Sequence, residues 1–255
     1  MRPRTLLSLA LAMLHAACAT DVQRATDTGA SLAFQNKALN PRNGGISVTA
    51  DSLQPGDIIL SSSNGINSVG IRLLTLSPVS HASIYVGDRQ VAEAVGQGIR
   101  RRTVAELLDE EATVVAFRHP GFRPDHAQGV GQFVKQHEGH KYNFVGVMLQ
   151  APFSLERRVC ELPLVPSLVR DFCLQGVAAV QLGIGRNDQF FCSQFVLEAY
   201  RRAGLPLTDA DPRLFSPGDL LHMREGDVPS VRIHQALQYV GHLKFQPAQD
   251  LATRN

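Results

Sequence analysis

Cys192 is the side chain of this sequence with the clearest potential for chemistry. The chain has four cysteines, at positions 18, 160, 173 and 192. Cys18 follows an apolar leader, and Cys160 and Cys173 lie close enough along the chain for an oxidising compartment to favour a disulfide between them. Two buried free thiols are the alternative interpretation of that pair. Cys192 is then an unpaired thiol, which in an exported protein needs a reason.

Cys192 lies at the start of a predicted helix. The segment 190–203 has amphipathic spacing and ends at Gly204, the residue type that favours the position after a helix. The partial positive charge of a helix N-terminus stabilises a thiolate, so this thiol is a candidate nucleophile. A buried cysteine on an apolar helix face, acting only as a small hydrophobic residue, is the alternative.

His81 and Glu93 are the residues that we expect to activate the thiol. His81 opens a predicted strand at 81–86, and Glu93 lies in the next one, 90–95, on the side that carries apolar residues. A buried carboxylate is costly unless it is paired. If the turn between the strands keeps an even register, His81 and Glu93 are opposite or diagonal neighbours on one face. The carboxylate could then orient an imidazole that deprotonates the thiol, although a structural histidine at a strand start is the simpler interpretation.

The N-terminus is typical of an export signal. A basic start at 1–4 precedes the apolar run 5–17, which ends in two alanines before Cys18. This junction resembles a bacterial lipobox, although His15 stands where that pattern prefers leucine. We expect Cys18 to be acylated and to anchor the chain in a membrane without spanning it, with simple export as the alternative. Ala19, where aspartate would signal retention at the inner membrane, favours the outer membrane.

Composition describes a globular protein and excludes several classes. The chain has 255 residues, of which 44% are hydrophobic and 19% charged, so it is not disordered, collagen-like or a coiled coil. Removal of the leader leaves 23 basic against 23 acidic residues, which argues against a nucleic-acid binder. The spacing His137-Glu-Gly-His140 is not a zinc-binding His-Glu-x-x-His motif, and the chain lacks Cys-x-x-Cys pairs. We therefore predict no cofactor and no metal.

The pattern of elements predicts an α+β fold with helices packed on an antiparallel sheet. The order is β-α-β-β-α-β, followed by helices and a closing strand at 237–244. We expect a signal peptide at 1–17, a lipidated tether at 18–51, a catalytic domain at 52–246 with an insertion at 144–188 that holds the cysteine pair, and a tail at 247–255.

Four short stretches resemble a known family. They are SHASIYVG at 80–87, VAEA at 91–94, YNF at 142–144 and FCSQF at 191–195. These stretches resemble the YaeF/YiiX family of circularly permuted, papain-like amidases or peptidases of the NlpC superfamily, and most of all its lipoprotein members. The resemblance extends from Leu53 to Lys244. It implies a permuted papain-like fold, in which the histidine strand precedes the helix that carries the nucleophile.

The resemblance also implies roles for the candidate residues. Cys192 matches the nucleophile, His81 the general base and Glu93 the polar third member of the site. His242 is a weaker alternative for the third member. These assignments predict a triad that cleaves an amide through a thioester intermediate.

The resemblance further implies what surrounds the site and what it acts on. Tyr142 and Ser193 match positions that contact substrate, and the segment between Tyr142 and Cys192 could act as a lid. We expect an envelope lipoprotein, a cysteine peptidase or amidase at the periplasmic face of the outer membrane, with a peptide or cell-wall-derived amide as substrate. A lipid-directed thiol acyltransferase or amidase, and a non-catalytic lipoprotein that retains the fold, are the alternatives.

Overall fold

The computed structural model describes most of the predicted catalytic domain. Side chains are described for residues 45–65, 68, 77–139, 169, 191–224 and 233–245, and the backbone for two strands at 20–25 and 29–34. The predicted signal peptide at 1–17, the predicted insertion at 144–188, the predicted tail at 247–255 and the segment 66–76 lie outside the described residues or almost wholly so.

The strands form a hairpin and a six-stranded sheet. The hairpin pairs β1 (Thr20–Ala25) with β2 (Gly29–Phe34). The sheet contains β3 (Ile58–Ser62), β4 (His81–Gly87), β5 (Gln90–Val95), β6 (Gly98–Thr103), β7 (Thr113–Arg118) and β8 (Gln238–Phe245). Its order is β6-β5-β4-β3-β7-β8, and every neighbouring pair is antiparallel. The strands that begin at His81 and that contain Glu93 are therefore adjacent and internal.

Four α-helices accompany the sheet in the described part of the chain. They are α1 (Val104–Glu110), α2 (Pro124–His137), α3 (Cys192–Arg202) and α4 (Pro217–His222). Helix α3 packs on β4 and β5 and against α2. The predicted α+β class, with helices on an antiparallel sheet, is confirmed. Within the described ranges, none of the helices has the length and apolar character needed to cross a bilayer.

Each face of the sheet buries its own apolar cluster. One face packs against α3, and its cluster includes Ile58, Leu60, Ala82, Ile84, Ala92, Ala94, Phe195 and Val196. The opposite face packs against α1, and its cluster includes Ile59, Tyr85, Val91, Val104, Leu107 and Val114. Because successive strand residues point to opposite faces, Glu93 lies on the α1 side with Val91. Its carboxylate is thus placed in an otherwise apolar layer.

Local sequence signals set several of the helix ends. The Thr103 hydroxyl accepts a bond from the Glu106 backbone amide, and the Glu106 carboxylate accepts one from the Thr103 backbone amide, so the two residues form a capping box at the start of α1. Ser216 caps α4 in the same way, with proline in its first turn. Gly204 follows α3 with a φ of 80°, a left-handed conformation that glycine adopts without a Cβ penalty.

Strand β6 is an element that the sequence pattern did not predict. It contains three consecutive arginines at positions 100–102 and lacks the alternation of apolar and polar residues that marks a strand. It pairs with β5 along its whole length, from Val95↔Gly98 to Gln90↔Thr103. This pairing places Arg100 directly opposite Glu93.

Residues just before the predicted domain start join the sheet. The backbone amide of Val48 donates to the carbonyl of His242 at 2.9 Å, and the amide of His242 donates to the carbonyl of Ile46 at 2.7 Å. These bonds place the segment from Ile46 onward beside β8. The end of the predicted tether is therefore attached to the outer strand of the sheet.

Candidate active site

Glu93 and His81 form a hydrogen-bonded pair on neighbouring strands. Nε2 of His81 lies 2.8 Å from Oε2 of Glu93. Ser83 is the residue directly opposite Glu93, so His81 is the diagonal neighbour two positions earlier on the same face of β4. The Glu93 side chain is fully buried, whereas 16% of the His81 side chain is exposed. A buried carboxylate thus fixes an imidazole that still reaches the surface.

Cys192 approaches the same imidazole from α3. It is the first residue of that helix, whose packing on β4 and β5 brings its N-terminal end to the point where β4 begins. The side chains of His81 and Cys192 interact by hydrogen bonding and by charge. Since Nε2 of the imidazole faces Glu93, Nδ1 is the ring nitrogen available to the sulfur. The structure therefore brings together the three side chains that the sequence singled out.

The N-terminus of α3 is left without a capping side chain. Phe191 occupies the N-cap position and makes no side-chain cap bond, and the first turn contains no acidic residue. The first backbone N–H groups of a helix have no acceptor within it, and they carry the positive end of the helix dipole. This positive end lies at Cys192, where it favours a negative sulfur and could donate to an oxyanion.

Mutual charge effects set the protonation states of the pair. Burial alone lowers the pKa of His81, but its hydrogen bonds to Cys192 and Glu93 and their charges raise that pKa to about 10. Burial alone raises the pKa of Glu93, but the bond and charge of His81, the charge of Arg102 and the bond from Arg100 lower it to about 2. At neutral pH the pair is therefore an imidazolium and a carboxylate.

Two arginines of β6 complete the surroundings of Glu93, and the sequence analysis did not single them out. The Nε–H group of Arg100 donates to Oε1 of Glu93 at 2.9 Å. Nε of Arg102 lies 2.9 Å from the same oxygen, as an ion pair outside hydrogen-bond alignment. A signal was present, because a carboxylate predicted to be buried requires a positive partner and these arginines follow a few residues later.

Ser193 is placed differently from its predicted role. Its hydroxyl donates to the backbone carbonyl of Phe215 at 2.5 Å, and the residue is fully buried. The hydroxyl therefore joins α3 to the segment before α4. This contact gives no support to a substrate-binding hydroxyl, and substrate binding by Ser193 stays a prediction.

Of the remaining predicted site residues, one lies in another part of the sheet and four lie outside the residues that the structure describes. His242 is in β8, separated from β4 by two strands, and its Nδ1 faces the hydroxyl of Tyr239 at 2.5 Å. It is therefore not the third member of this site. The predicted pocket residue Tyr142, the predicted lipidation site Cys18 and the cysteine pair Cys160 and Cys173 lie outside the described residues.

Comparisons with known proteins give one extensive match. No protein-family model matches the chain. The chain is 36% identical over 244 residues to the Escherichia coli (strain K12) protein named "Probable lipoprotein peptidase YaeF", and this alignment covers 91% of the chain and 89% of that protein.

A solved structure provides a weaker match. It is titled as the metalloprotein yiiX from Escherichia coli O157:H7 and has a TM-score of 0.45, with 18% identity, 76% of this chain covered and 99% of that chain. In the described part of the present chain, no three His, Cys, Asp or Glu side chains are grouped so that they could hold a metal ion.

Proposed function

The chain belongs to the YaeF/YiiX family, and on this premise we propose that it is a cysteine-type peptidase or amidase anchored to a membrane as a lipoprotein. The observation that carries the proposal is the His81 imidazole held between the sulfur of Cys192 and the buried carboxylate of Glu93. The name of the YaeF relative, a probable lipoprotein peptidase, agrees with this chemistry. The site needs no cofactor and no nucleic acid.

The first half of the reaction forms a thioester. The thiolate of Cys192 attacks the carbonyl carbon of a peptide or cell-wall-derived amide, and the carbonyl oxygen becomes negative. We assign the backbone N–H of Cys192, at the positive end of α3, as a donor to that oxyanion. The His81 imidazolium then gives its proton to the amide nitrogen, the C–N bond breaks and the amine leaves.

The second half of the reaction releases the acid. Neutral His81 takes a proton from a water molecule, whose oxygen attacks the thioester carbon. The C–S bond breaks, the carboxylic acid leaves and the Cys192 thiolate is restored beside an imidazolium. Throughout both halves, Glu93 holds the imidazole in place and stabilises its positive charge.

The order of the site residues agrees with a circularly permuted papain-like fold. His81 opens β4, and the helix that begins at Cys192 follows more than a hundred residues later. In an unpermuted arrangement the nucleophile helix precedes the histidine strand. We include the permuted fold in the proposal, with Tyr142 as a residue of the substrate pocket.

A lipid on Cys18 would place this site at a membrane. The proposal locates the mature protein at the periplasmic face of the outer membrane, held by its acylated N-terminus. Expression with a clickable palmitate analogue tests the anchor: we expect labelled protein, and a Cys18→Ala variant without label. Label that persists in the variant, or an unlabelled wild-type protein, would overturn lipidation at Cys18.

Mass spectrometry of a peptidoglycan digest tests the activity. The digest is incubated with the wild-type protein, with Cys192→Ala, with His81→Ala and with the control His234→Gln, whose histidine pairs with Asp209 away from the site. We expect new amide-cleavage products with the wild-type protein and the control, and a loss of at least about 10³-fold in both site variants.

Two outcomes would contradict the proposal. Equal product with Cys192→Ala would exclude a cysteine nucleophile. Turnover of N-acyl lipids, offered in parallel, without any cleavage in the digest would assign the site to lipid chemistry instead.

A further inference from the structure

We propose that Arg102 is a positioning residue of this site, whose guanidinium holds the Glu93 carboxylate with one oxygen turned toward His81. This inference rests on the proposed function, because it assigns Arg102 a part in the chemistry of Cys192 and His81. Arg102 acts through Glu93, because it lies at Oε1 of that carboxylate whereas the imidazole lies at Oε2.

The two oxygens of Glu93 have separate partners. Oε2 accepts the bond from His81, and Oε1 lies 2.9 Å from the guanidinium nitrogens of both Arg100 and Arg102. A carboxylate held at both oxygens cannot rotate about its terminal bond without losing one set of partners. The cations at Oε1 therefore fix the direction in which Oε2 points.

Arg102, more than Arg100, carries this role because of burial. Only 6% of the Arg102 side chain is exposed, against 39% for Arg100. Water can replace a partly exposed donor at little cost, whereas removal of a buried cation leaves Glu93 uncompensated. The charge of Arg102 also contributes more than the bond from Arg100 to the low pKa of Glu93.

Arg102 is itself held in place from behind. Its Nη1 donates to Oε2 of Glu110 at 2.5 Å, at the last residue of α1, and its Nη2 lies 3.7 Å from Oε1 of Glu111. Three carboxylates thus surround one planar guanidinium, a geometry that the single ammonium of lysine cannot match. A chain of side-chain contacts therefore leads from Cys192 through His81 and Glu93 to Arg102, which Glu110 and Glu111 hold in place.

Arg101 provides a control in the same strand. It precedes Arg102 directly and points to the opposite face, where its partly exposed side chain lies 3.7 Å from Glu138. Its ion pair is with Glu138, whereas Glu93 pairs with Arg100 and Arg102, and it carries the same charge as Arg102. Arg101→Gln therefore removes one cation from β6 without touching the pair.

The test measures the titration of His81 by NMR together with turnover of the peptidoglycan digest. His81 owes its raised pKa to Cys192 and Glu93, so a Glu93 that is no longer held should let this pKa fall. In Arg102→Gln we expect a lower pKa of His81 and a kcat reduced about 10²-fold with little change in KM. In Arg101→Gln we expect both quantities to equal those of the wild-type protein.

Arg102→Lys separates geometry from charge and serves if Arg102→Gln does not fold. It retains a cation near Glu93 but lacks the planar fork, so we expect a folded protein with kcat at least tenfold below wild type. Wild-type kcat in the lysine variant, or a His81 pKa that rises in Arg102→Gln, would overturn the positioning role.

The same measurements separate this inference from the proposed function. Absence of Cys192-dependent turnover in the wild-type protein would overturn the proposed function, and the His81 titration would still test the contact between Arg102 and Glu93. Full turnover in every Arg102 variant would overturn this inference and leave the proposed function standing.

Discussion

His81 meets Glu93 diagonally across β4 and β5, with 2.8 Å between Nε2 and Oε2, while Ser83 occupies the directly opposed position. Because the contact is diagonal, the histidine that binds Glu93 is His81, the first residue of β4, and not the residue directly opposite Glu93. At that position the ring is held by the sheet on one side and open to the start of α3 on the other. One histidine can therefore serve both a buried carboxylate and a sulfur on a separate helix.

Replacement of the sulfur should change the titration of His81. Cys192→Ser replaces the thiol next to the imidazole with a neutral hydroxyl, and the bond and charge of Cys192 are major causes of the raised pKa of His81. We expect the pKa of His81, about 10 in the wild-type protein, to fall toward its ordinary value of 6.5. NMR titration of the ring carbon measures it, and the exposed ring of His234 in the same spectra is the internal control. An unchanged His81 titration would contradict the contribution of Cys192 to the raised pKa of His81.

The carboxylate of Glu93 should make stability depend on pH in the acid range. Its pKa is about 2 in the folded protein against an ordinary 4.5, so its stabilising effect is complete above pH 4.5 and is lost as the pH falls through 2. We expect Glu93→Gln to lower the free energy of unfolding by about 3 kcal/mol at pH 7 and by progressively less below pH 4.5. Urea unfolding at pH 7, 5 and 3 measures this difference. A deficit of equal size at pH 5 and pH 3 would contradict the low pKa.

A second ion pair should contribute to stability without affecting the site. Asp57 is almost fully buried and accepts two bonds of 2.7 Å from Arg118. We expect Asp57→Asn to lower the free energy of unfolding by about 2 kcal/mol, because bonds between charged groups are stronger than neutral ones. The control is Asp51→Asn, which breaks an exposed pair with Arg89 and should change stability by less than about 0.5 kcal/mol. Urea unfolding measures both variants. Similar losses in the free energy of unfolding would show that burial does not decide how much each ion pair contributes to stability.

Two glycines of α2 should respond in opposite ways to alanine. A Cβ at Gly129 would lie 2.8 Å from the Cα of Ala203, whereas one at Gly131 would meet no atom within 4 Å. Alanine favours a helix interior over glycine by about 1 kcal/mol. We therefore expect Gly131→Ala to raise the melting temperature and Gly129→Ala to lower it, since the helices would have to separate. Thermal unfolding monitored by circular dichroism measures both, and a stabilised Gly129→Ala would contradict the close packing.

Local signals explain what the sequence alone predicted correctly. Side chains alternate between the two faces of a strand, so Glu93 must lie on the same face as the apolar Val91 two positions earlier. The ends of α1 and α4 follow from capping residues that act within three positions. The juxtaposition of His81 and Glu93 follows from a short turn between adjacent strands.

Long-range pairing explains what the sequence did not reveal. Strand β6 is held by its backbone ladder and by charge, so its arginines give no hydrophobic period. The bond from Ser193 to the carbonyl of Phe215 joins residues 22 positions apart through tertiary packing alone. Local propensity does not encode either contact, which is why the sequence revealed neither the contact of Arg102 with Glu93 nor the bond of Ser193 to Phe215.

The bare beginning of α3 has a consequence for how this protein can be improved. A serine or aspartate at position 191 would supply about 1 kcal/mol to the helix by bonding its free amides. The same bond would occupy backbone donors in the first turn, next to Cys192, and an aspartate there would also place a negative charge near the thiol. Under the proposed function, a cap at position 191 would therefore stabilise the helix and weaken the nucleophile together, so a search for thermostable variants has to measure turnover as well.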